Sequence, residues 1–118
     1  MNRKEKGNLG EHIASEYLSK NGVKIIERNY RVRAGEIDVI GLEKNVLVFY
    51  EVKTRSNYKY GTPAESVNYF KQKHIKKVAV EFINESRPKF SGIRFDVIEI
   101  ILDSNGRSKS INQIKNAF

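Results

Sequence analysis

The sequence predicts an α/β fold: an αβββαβ core with a central mixed β-sheet flanked by helices. Apolar residues recur at helical spacing in two segments, and four other segments read as strands. Three of those strands follow one another, and a helix then carries the chain to the fourth, which gives a mixed sheet. The length of 118 residues is that of one ordinary domain, so residues 1–118 are predicted to form a single one.

The first helix is predicted from an apolar stripe that precedes Gly22, a residue placed to end it. Asn8 is the predicted cap, and Glu11, three residues later, completes a capping-box pattern. The stripe consists of Leu9, Ile13, Ala14, Tyr17 and Leu18.

Three strands are predicted next, separated by a break at Ala34-Gly35 and a turn at 43–45. Alternation in the second strand places Ile37 and Val39 on one face and Asp38 and Ile40 on the other. The third strand is apolar on both faces, which is typical of a central strand. The predicted bounds are Val23–Val32, Glu36–Leu42 and Val46–Val52.

The second helix is predicted to start at Thr62, where Thr, Pro and Glu are spaced as at a helix N-terminus. It runs to about Asn84, with a break expected near residues 68–71. A fourth strand spans Arg94–Leu102, and residues 103–106 read as a hairpin turn. The pattern of residues 108–118 leaves the last element open.

The net charge of +8 indicates a polyanionic partner, most simply nucleic acid. Residues 53–77 hold seven basic side chains and one acidic one, a net +6, with tyrosine and phenylalanine interleaved. A second basic cluster lies at residues 28–33. The basic residues expected to contact nucleic acid are Arg31, Arg33, Arg55, Lys59, Lys71, Lys73, Lys76 and Lys77.

Several functional classes are excluded by composition. The chain has no cysteine, so it has no disulfide, thiolate zinc site or cysteine nucleophile. Its two histidines, His12 and His74, do not have metal-ligand spacing. No apolar run approaches the length that a bilayer requires, and the first residues do not form a secretion signal. We expect a cytoplasmic protein that does not enter a membrane.

Asp38, Glu51 and Lys53 are the residues that point to chemistry. Glu51 is the only charge in the apolar run 46–52, and a buried carboxylate is costly unless it is paired or binds a metal. Glu51 and Lys53 share a strand face, and a hairpin around residues 43–45 would bring Asp38 close to Glu51. Two carboxylates suit Mg²⁺, and a nearby lysine could orient water or stabilise charge on a phosphate.

Other interpretations of these residues stay open at this point. Glu51 and Lys53 could be a surface pair at a strand end, and Asp38 an exposed carboxylate. Glu11 fits a helix cap about as well as a metal site.

Five segments of the sequence resemble the YraN family of small bacterial proteins, which belongs to the PD-(D/E)xK nuclease superfamily near the archaeal Holliday junction resolvases. The resemblance runs from about Gly7 to Ile100, in the family's order. Ile37 stands where the superfamily has proline. The segments are Gly10-Glu11, Asn29-Tyr30-Arg31, Gly35-Glu36-Ile37-Asp38, Phe49 to Arg55, and Arg94-Phe95-Asp96-Val97.

The resemblance implies a restriction-endonuclease-like fold and specific residue roles. Asp38 and Glu51 would bind the metal, Lys53 would be the catalytic lysine, and Glu11 would be an additional catalytic acid. Gln72 matches a helix position that some relatives use near the site, and on that ground it is expected to contact nucleic acid. The expected function is a Mg²⁺-dependent endonuclease, with Mn²⁺ as a substitute, acting on structured or branched DNA. The alternative is a non-catalytic nucleic-acid-binding module. By analogy with junction resolvases, a homodimer is plausible.

Overall fold

The computed structural model describes residues 1–56 and 67–118, which contain two helices and one five-stranded sheet. Their bounds, in chain order, are α1 (Arg3–Lys20), β1 (Val23–Val32), β2 (Gly35–Glu43), β3 (Val46–Arg55), α2 (Tyr69–Ser86), β4 (Gly92–Leu102) and β5 (Ser108–Ile114).

The sheet is mixed, with its strands in the order β1-β2-β3-β4-β5. β1, β2 and β3 form antiparallel hairpins, and β4 then pairs parallel to β3 from Val46–Gly92 to Arg55–Ile101. The predicted α/β class, the αβββαβ order and the mixed sheet are therefore confirmed. The segment left open by the sequence forms β5, which pairs antiparallel to β4 after the predicted turn.

Each face of the sheet is covered by one helix. Because side chains alternate along β3, Val48 and Tyr50 pack on the side of α1, whereas Leu47 and Phe49 pack on the side of α2. All four are almost completely buried, as expected of a central strand. Neither helix in the described ranges is long and apolar enough to cross a membrane.

The predicted start of the first helix is wrong. α1 begins at Arg3 and is capped by Asn2, whose side-chain oxygen accepts the backbone N–H of Glu5 at 2.8 Å. The pattern that suggests a capping box at Asn8 and Glu11 occurs earlier as Asn2 and Glu5, and the earlier copy caps the helix. Asn8 lies inside α1, so Glu11 has no capping role.

The start of α2 falls within residues 68–71, where the sequence predicts a break. Asn68 is extended, and its side chain accepts the N–H of Lys71, so α2 begins only at Tyr69. The predicted start at Thr62 lies outside the described residues.

Gly10 allows α1 to lie directly against β3. A β-carbon at this position would overlap the side chain of Thr54. The absence of a side chain at Gly10 therefore lets the middle of α1, including Glu11, lie close to the end of β3.

Candidate functional site

The candidate site lies at the strand fork, the point where β2 and β3 separate. Their ladder ends at the pair Val39–Tyr50, although β3 continues to Arg55 beside β4. In an unbroken ladder, Asp38 would face Glu51. Instead, the Asp38 carboxylate accepts the backbone N–H of Val52 at 2.8 Å and so replaces a missing ladder bond. This bond fixes the carboxylate in the gap between the strands.

Side-chain alternation in β2 is broken at Asp38. Ile37 packs with Ile40 on the α2 side, whereas Val39 packs on the α1 side. The prediction that Ile37 and Val39 share a face is therefore wrong. Regular alternation fails because the strand departs from its neighbour at this point, a local change that periodicity alone does not reveal.

Asn29 lies opposite Asp38, between the pairs Arg28–Val39 and Tyr30–Ile37. Its φ of 52° is left-handed, a conformation that asparagine adopts more readily than most residues. Its side chain lies close enough to the Glu11 carboxylate to act to lower the pKa of that group. Asn29 thus connects α1 to the irregular part of the sheet.

Glu51 and Lys53 project from β3 toward α2, as their spacing predicts. Glu51 is almost completely buried, and its Oε1 lies 3.4 Å from Lys53 Nζ. The same oxygen lies 2.6 Å from Nζ of Lys71, in the first turn of α2. Two ammonium groups therefore converge on one buried carboxylate oxygen.

The Asp38 carboxyl is poised between its charged and neutral forms. Burial, followed by repulsion from Glu51, raises its pKa to about 7, and the bond from the Val52 N–H opposes this rise only in part. Glu11 and Glu36 add further negative potential at Asp38. Negative charge at the strand fork is thus incompletely neutralised by the protein itself.

The two lysines have opposite pKa shifts. Burial, and then the neighbouring Lys71, lowers the pKa of Lys53. Burial is the largest single influence on the pKa of Lys71 and acts to lower it, but the bonds to Glu51 and Lys53 and the charges of Glu51 and Asp38 together outweigh burial and raise the pKa. Lys71 is therefore the firmly charged partner of Glu51, whereas Lys53 gives up its proton more readily.

Glu11 is the third acidic side chain near the fork. Burial raises its pKa although the Asn29 side chain opposes this shift. Its Oε1 is buried, and within residues 1–56 and 67–118 it has no hydrogen-bond partner. An unsatisfied buried oxygen is costly for the fold, which favours a role toward a ligand.

Glu11→Gln tests this role. Because Glu11 lies inside α1 and does not cap it, we expect the variant to fold and to melt at a temperature equal to or above that of the wild type. Metal-dependent cleavage should fall by about 10-fold or more, because glutamine lacks the charge. Both quantities should be measured on one preparation. Cleavage at the wild-type rate would exclude Glu11 from the site, and Glu16→Gln on the exposed side of α1 is the matched control.

Asp38→Asn should stabilise the metal-free protein in a pH-dependent way. The folded pKa of about 7 lies above the ordinary 3.8, so this group's contribution to stability is lost as the pH rises through about 7. In EDTA at about pH 8, we expect the variant to gain about 2 kcal/mol, and the gain to shrink toward about pH 5. Thermal melts across this range measure it.

The exposed turn residue Asp103 provides the control, since Asp103→Asn makes the same chemical change outside the site. A loss of stability in Asp38→Asn at about pH 8, or a gain independent of pH, would contradict the raised pKa.

The donor set fits a hard divalent cation. Asp38 and Glu51 offer carboxylate oxygens, and a cation would relieve the repulsion that raises the Asp38 pKa. In the described part of the chain, no three acidic or histidine side chains form a complete metal cage. A site with two carboxylates suits Mg²⁺ or Mn²⁺, since Mg²⁺ commonly keeps several waters.

The predicted nucleic-acid-binding residues differ in their exposure and in the partners of their side chains. Arg31 and Arg33 are exposed, and Arg31 pairs with Glu36 at 2.9 Å. Arg55 is largely buried and lies 3.6 Å from Glu99. Lys59 falls outside the described residues.

The predicted residues on α2 point in different directions. Lys71 turns to Glu51, Lys73 lies over the Tyr69 ring, and Lys76 lies over the rings of Phe95 and Phe118. Lys77 is exposed. The Gln72 amide donates to the backbone oxygen of Val67 at 2.9 Å, so it stabilises the start of α2.

Sequence reasoning misses two features of the site. It does not foresee the contact between Lys71 and Glu51, because nothing local indicates which way a helix residue faces. Glu99, paired with Arg55 and next to Lys53 in the sheet, is almost completely buried. It is the only charge in the run 97–102, which is the same signal that identifies Glu51.

Comparison with known proteins identifies relatives along the whole chain. The model of the uncharacterised protein family UPF0102 matches residues 10–100. UPF0102 proteins of Caldicellulosiruptor bescii and Dictyoglomus thermophilum are 49% and 47% identical, and each match covers 100% of both chains. The UPF0102 protein of Clostridioides difficile is 48% identical with the same coverage.

A solved structure, the repair endonuclease from Pyrococcus abyssi, aligns with 90% of this chain at a TM-score of 0.43 and 19% identity. The aligned part is 41% of that protein, less than half of its length. With sequence relatives that match from end to end and a family model that covers most of its residues, this chain belongs to UPF0102.

Proposed function

We propose that the protein is a metal-dependent nuclease that hydrolyses phosphodiester bonds in DNA at the fork between β2 and β3. The observation that carries this proposal is the meeting of Asp38 and Glu51 with two lysines at a point where the sheet opens. Acidic side chains at a purely DNA-binding surface would repel phosphates. In this protein, a backbone N–H holds the Asp38 carboxylate and lysine ammonium groups hold that of Glu51. Acidic side chains fixed in this way are expected if they bind a cation.

Each side chain has a defined part in this proposal. Asp38 and Glu51 hold the cation, which when bound neutralises phosphate charge and activates a water molecule. Lys53, held on the rigid strand β3, stabilises negative charge as the P–O bond to the leaving oxygen breaks. Glu11 lies on α1, and its unsatisfied buried oxygen would accept a hydrogen bond from a water molecule at the site.

The charge of the whole chain supports a DNA substrate. The net charge is +8, although acidic side chains gather at the fork. A cationic surface around a small acidic centre attracts a polyanion and still leaves oxygen ligands for a metal. Exposed Arg31, Arg33 and Lys77 are suited to contact phosphates beside the site.

The test is a set of labelled DNA substrates: a four-way junction, a flap, a single strand and a blunt duplex. Each is incubated with Mg²⁺, with Mn²⁺ and with EDTA. We expect metal-dependent cleavage, inhibited by EDTA, with branched DNA preferred and with Asp103→Asn as active as the wild type. Binding without cleavage of any substrate would instead support the non-catalytic module. Light scattering of the same sample tests the homodimer.

A further inference from the structure

Two aromatic side chains at the start of α2 are exposed beside the candidate site. The exposed fraction is 65% for Tyr69 and 74% for Phe70. Phe70 is the most exposed large apolar side chain in the described ranges. Adjacent apolar rings in contact with water are costly and typically mark a binding surface.

The contacts of the two rings assign them different roles. Lys73 Nζ lies 5.2 Å from the centre of the Tyr69 ring, so a cation covers one face of that ring. The edge-to-face packing of Tyr69 with Phe70, at a centroid distance of 6.0 Å, supports the Phe70 ring from one side. Phe70 therefore offers the open aromatic surface, and Tyr69 holds it in position.

Phe70 also lines an open pocket of about 290 Å³. Lys71 lines the same pocket and lies 2.6 Å from Glu51. The remaining lining residues are Glu36, His74 and Ile75. The Phe70 ring and the Lys71 ammonium group thus line the same pocket, and the ammonium group also contacts the Glu51 carboxylate.

A nucleotide has the shape and charge that match this arrangement. Its base is a flat ring that stacks on phenylalanine, and its phosphate is an anion that lysine attracts. Bases in continuous duplex already stack on each other and are not available. The occupant that fits is an unpaired nucleotide.

We propose that Phe70, supported by Tyr69, stacks on an unpaired DNA base next to the bond that is cleaved. The proposal rests on the proposed function for the identity of the cleaved bond, whereas the stacking itself requires only binding. The substrates that the site selects are then strands, flaps and junctions with unpaired nucleotides, in preference to continuous duplex.

The binding test uses fluorescence anisotropy in EDTA, so that no cleavage interferes. We expect Phe70→Ala to weaken binding of single-stranded DNA about 10-fold, and to change binding of a blunt duplex by less than about twofold. Phe70→Tyr keeps an aromatic face and should bind as the wild type does. Phe90→Ala, which removes an exposed ring of the same type elsewhere, is the matched control.

A spectroscopic test detects stacking directly. The chain has no tryptophan, so Phe70→Trp introduces a single indole at this position. We expect single-stranded DNA to quench its emission, and an equal concentration of blunt duplex to leave the emission nearly unchanged. Phe90→Trp should show no such quenching.

The proposal is overturned if Phe70→Ala weakens single strand and duplex equally, or weakens neither. It is also overturned if the substitution changes only the oligomeric mass measured by light scattering, because Phe70 would then contact a second copy of the chain. If every substrate binds but none is cleaved, and Phe70→Ala still selectively weakens the single strand, the nuclease proposal fails and the stacking site stands.

Discussion

Asp38→Asn and Glu51→Gln should each lower metal-dependent cleavage by about 100-fold or more. Each variant keeps the size of the side chain and removes the charge that would hold the cation. For Asp38→Asn, the amide oxygen can still accept the Val52 N–H, so the strand fork is retained. Cleavage of the preferred branched substrate should be followed over a range of Mg²⁺ concentrations.

DNA binding separates loss of chemistry from loss of structure. We expect both variants to bind DNA as tightly as the wild type or more tightly, because negative charge opposite the phosphates is removed. Asp103→Asn should cleave and bind normally. Wild-type cleavage by both variants would refute the assignment of Asp38 and Glu51 as the metal site.

Lys53→Met is expected to have the next largest effect. Methionine keeps most of the side chain's length and removes the ammonium group, which lies 3.4 Å from Glu51. We expect the maximal cleavage rate to fall by about 100-fold, with little change in DNA affinity, because the group acts on charge that develops during the reaction. Single-turnover rates at saturating protein measure this effect separately from binding.

Lys71→Met is the matched control, since Lys71 contacts the same carboxylate oxygen from α2. Lys71 is more exposed and lines the pocket beside Phe70, so its loss should weaken DNA binding more than it slows the bound reaction. The opposite pattern, with a fast Lys53→Met and a slow Lys71→Met, would assign the catalytic role to Lys71.

Much of the fold is predictable because its elements are long and periodic. The strand Val46–Arg55 extends the predicted apolar run, and the isolated charge of Glu51 within that run is enough to mark the site. The turn at residues 43–45 then indicates that Asp38 lies near Glu51. Hydrophobic periodicity and turn chemistry are sufficient for these steps.

The details of the site depend on contacts that local sequence does not specify. Asn2 and Asn8 offer similar caps, and packing of the longer helix decides between them. The break in alternation at Asp38 follows from the separation of two strands, which is a tertiary feature. The position of Lys71 beside Glu51 depends on how α2 lies across the sheet. The burial of Glu99 can be predicted from the sequence, because Glu99, like Glu51, is an isolated acidic residue in an apolar strand.

Direct measurement of cation binding tests the central claim, that Asp38 and Glu51 together hold a divalent metal. Mn²⁺ is titrated into the metal-free protein, and the free ion is followed by electron paramagnetic resonance. We predict saturable binding to the wild type and to Asp103→Asn, competition by Mg²⁺, and loss of this binding in Asp38→Asn and Glu51→Gln. Equal Mn²⁺ binding by wild type and both site variants, or none by the wild type, would contradict the claim.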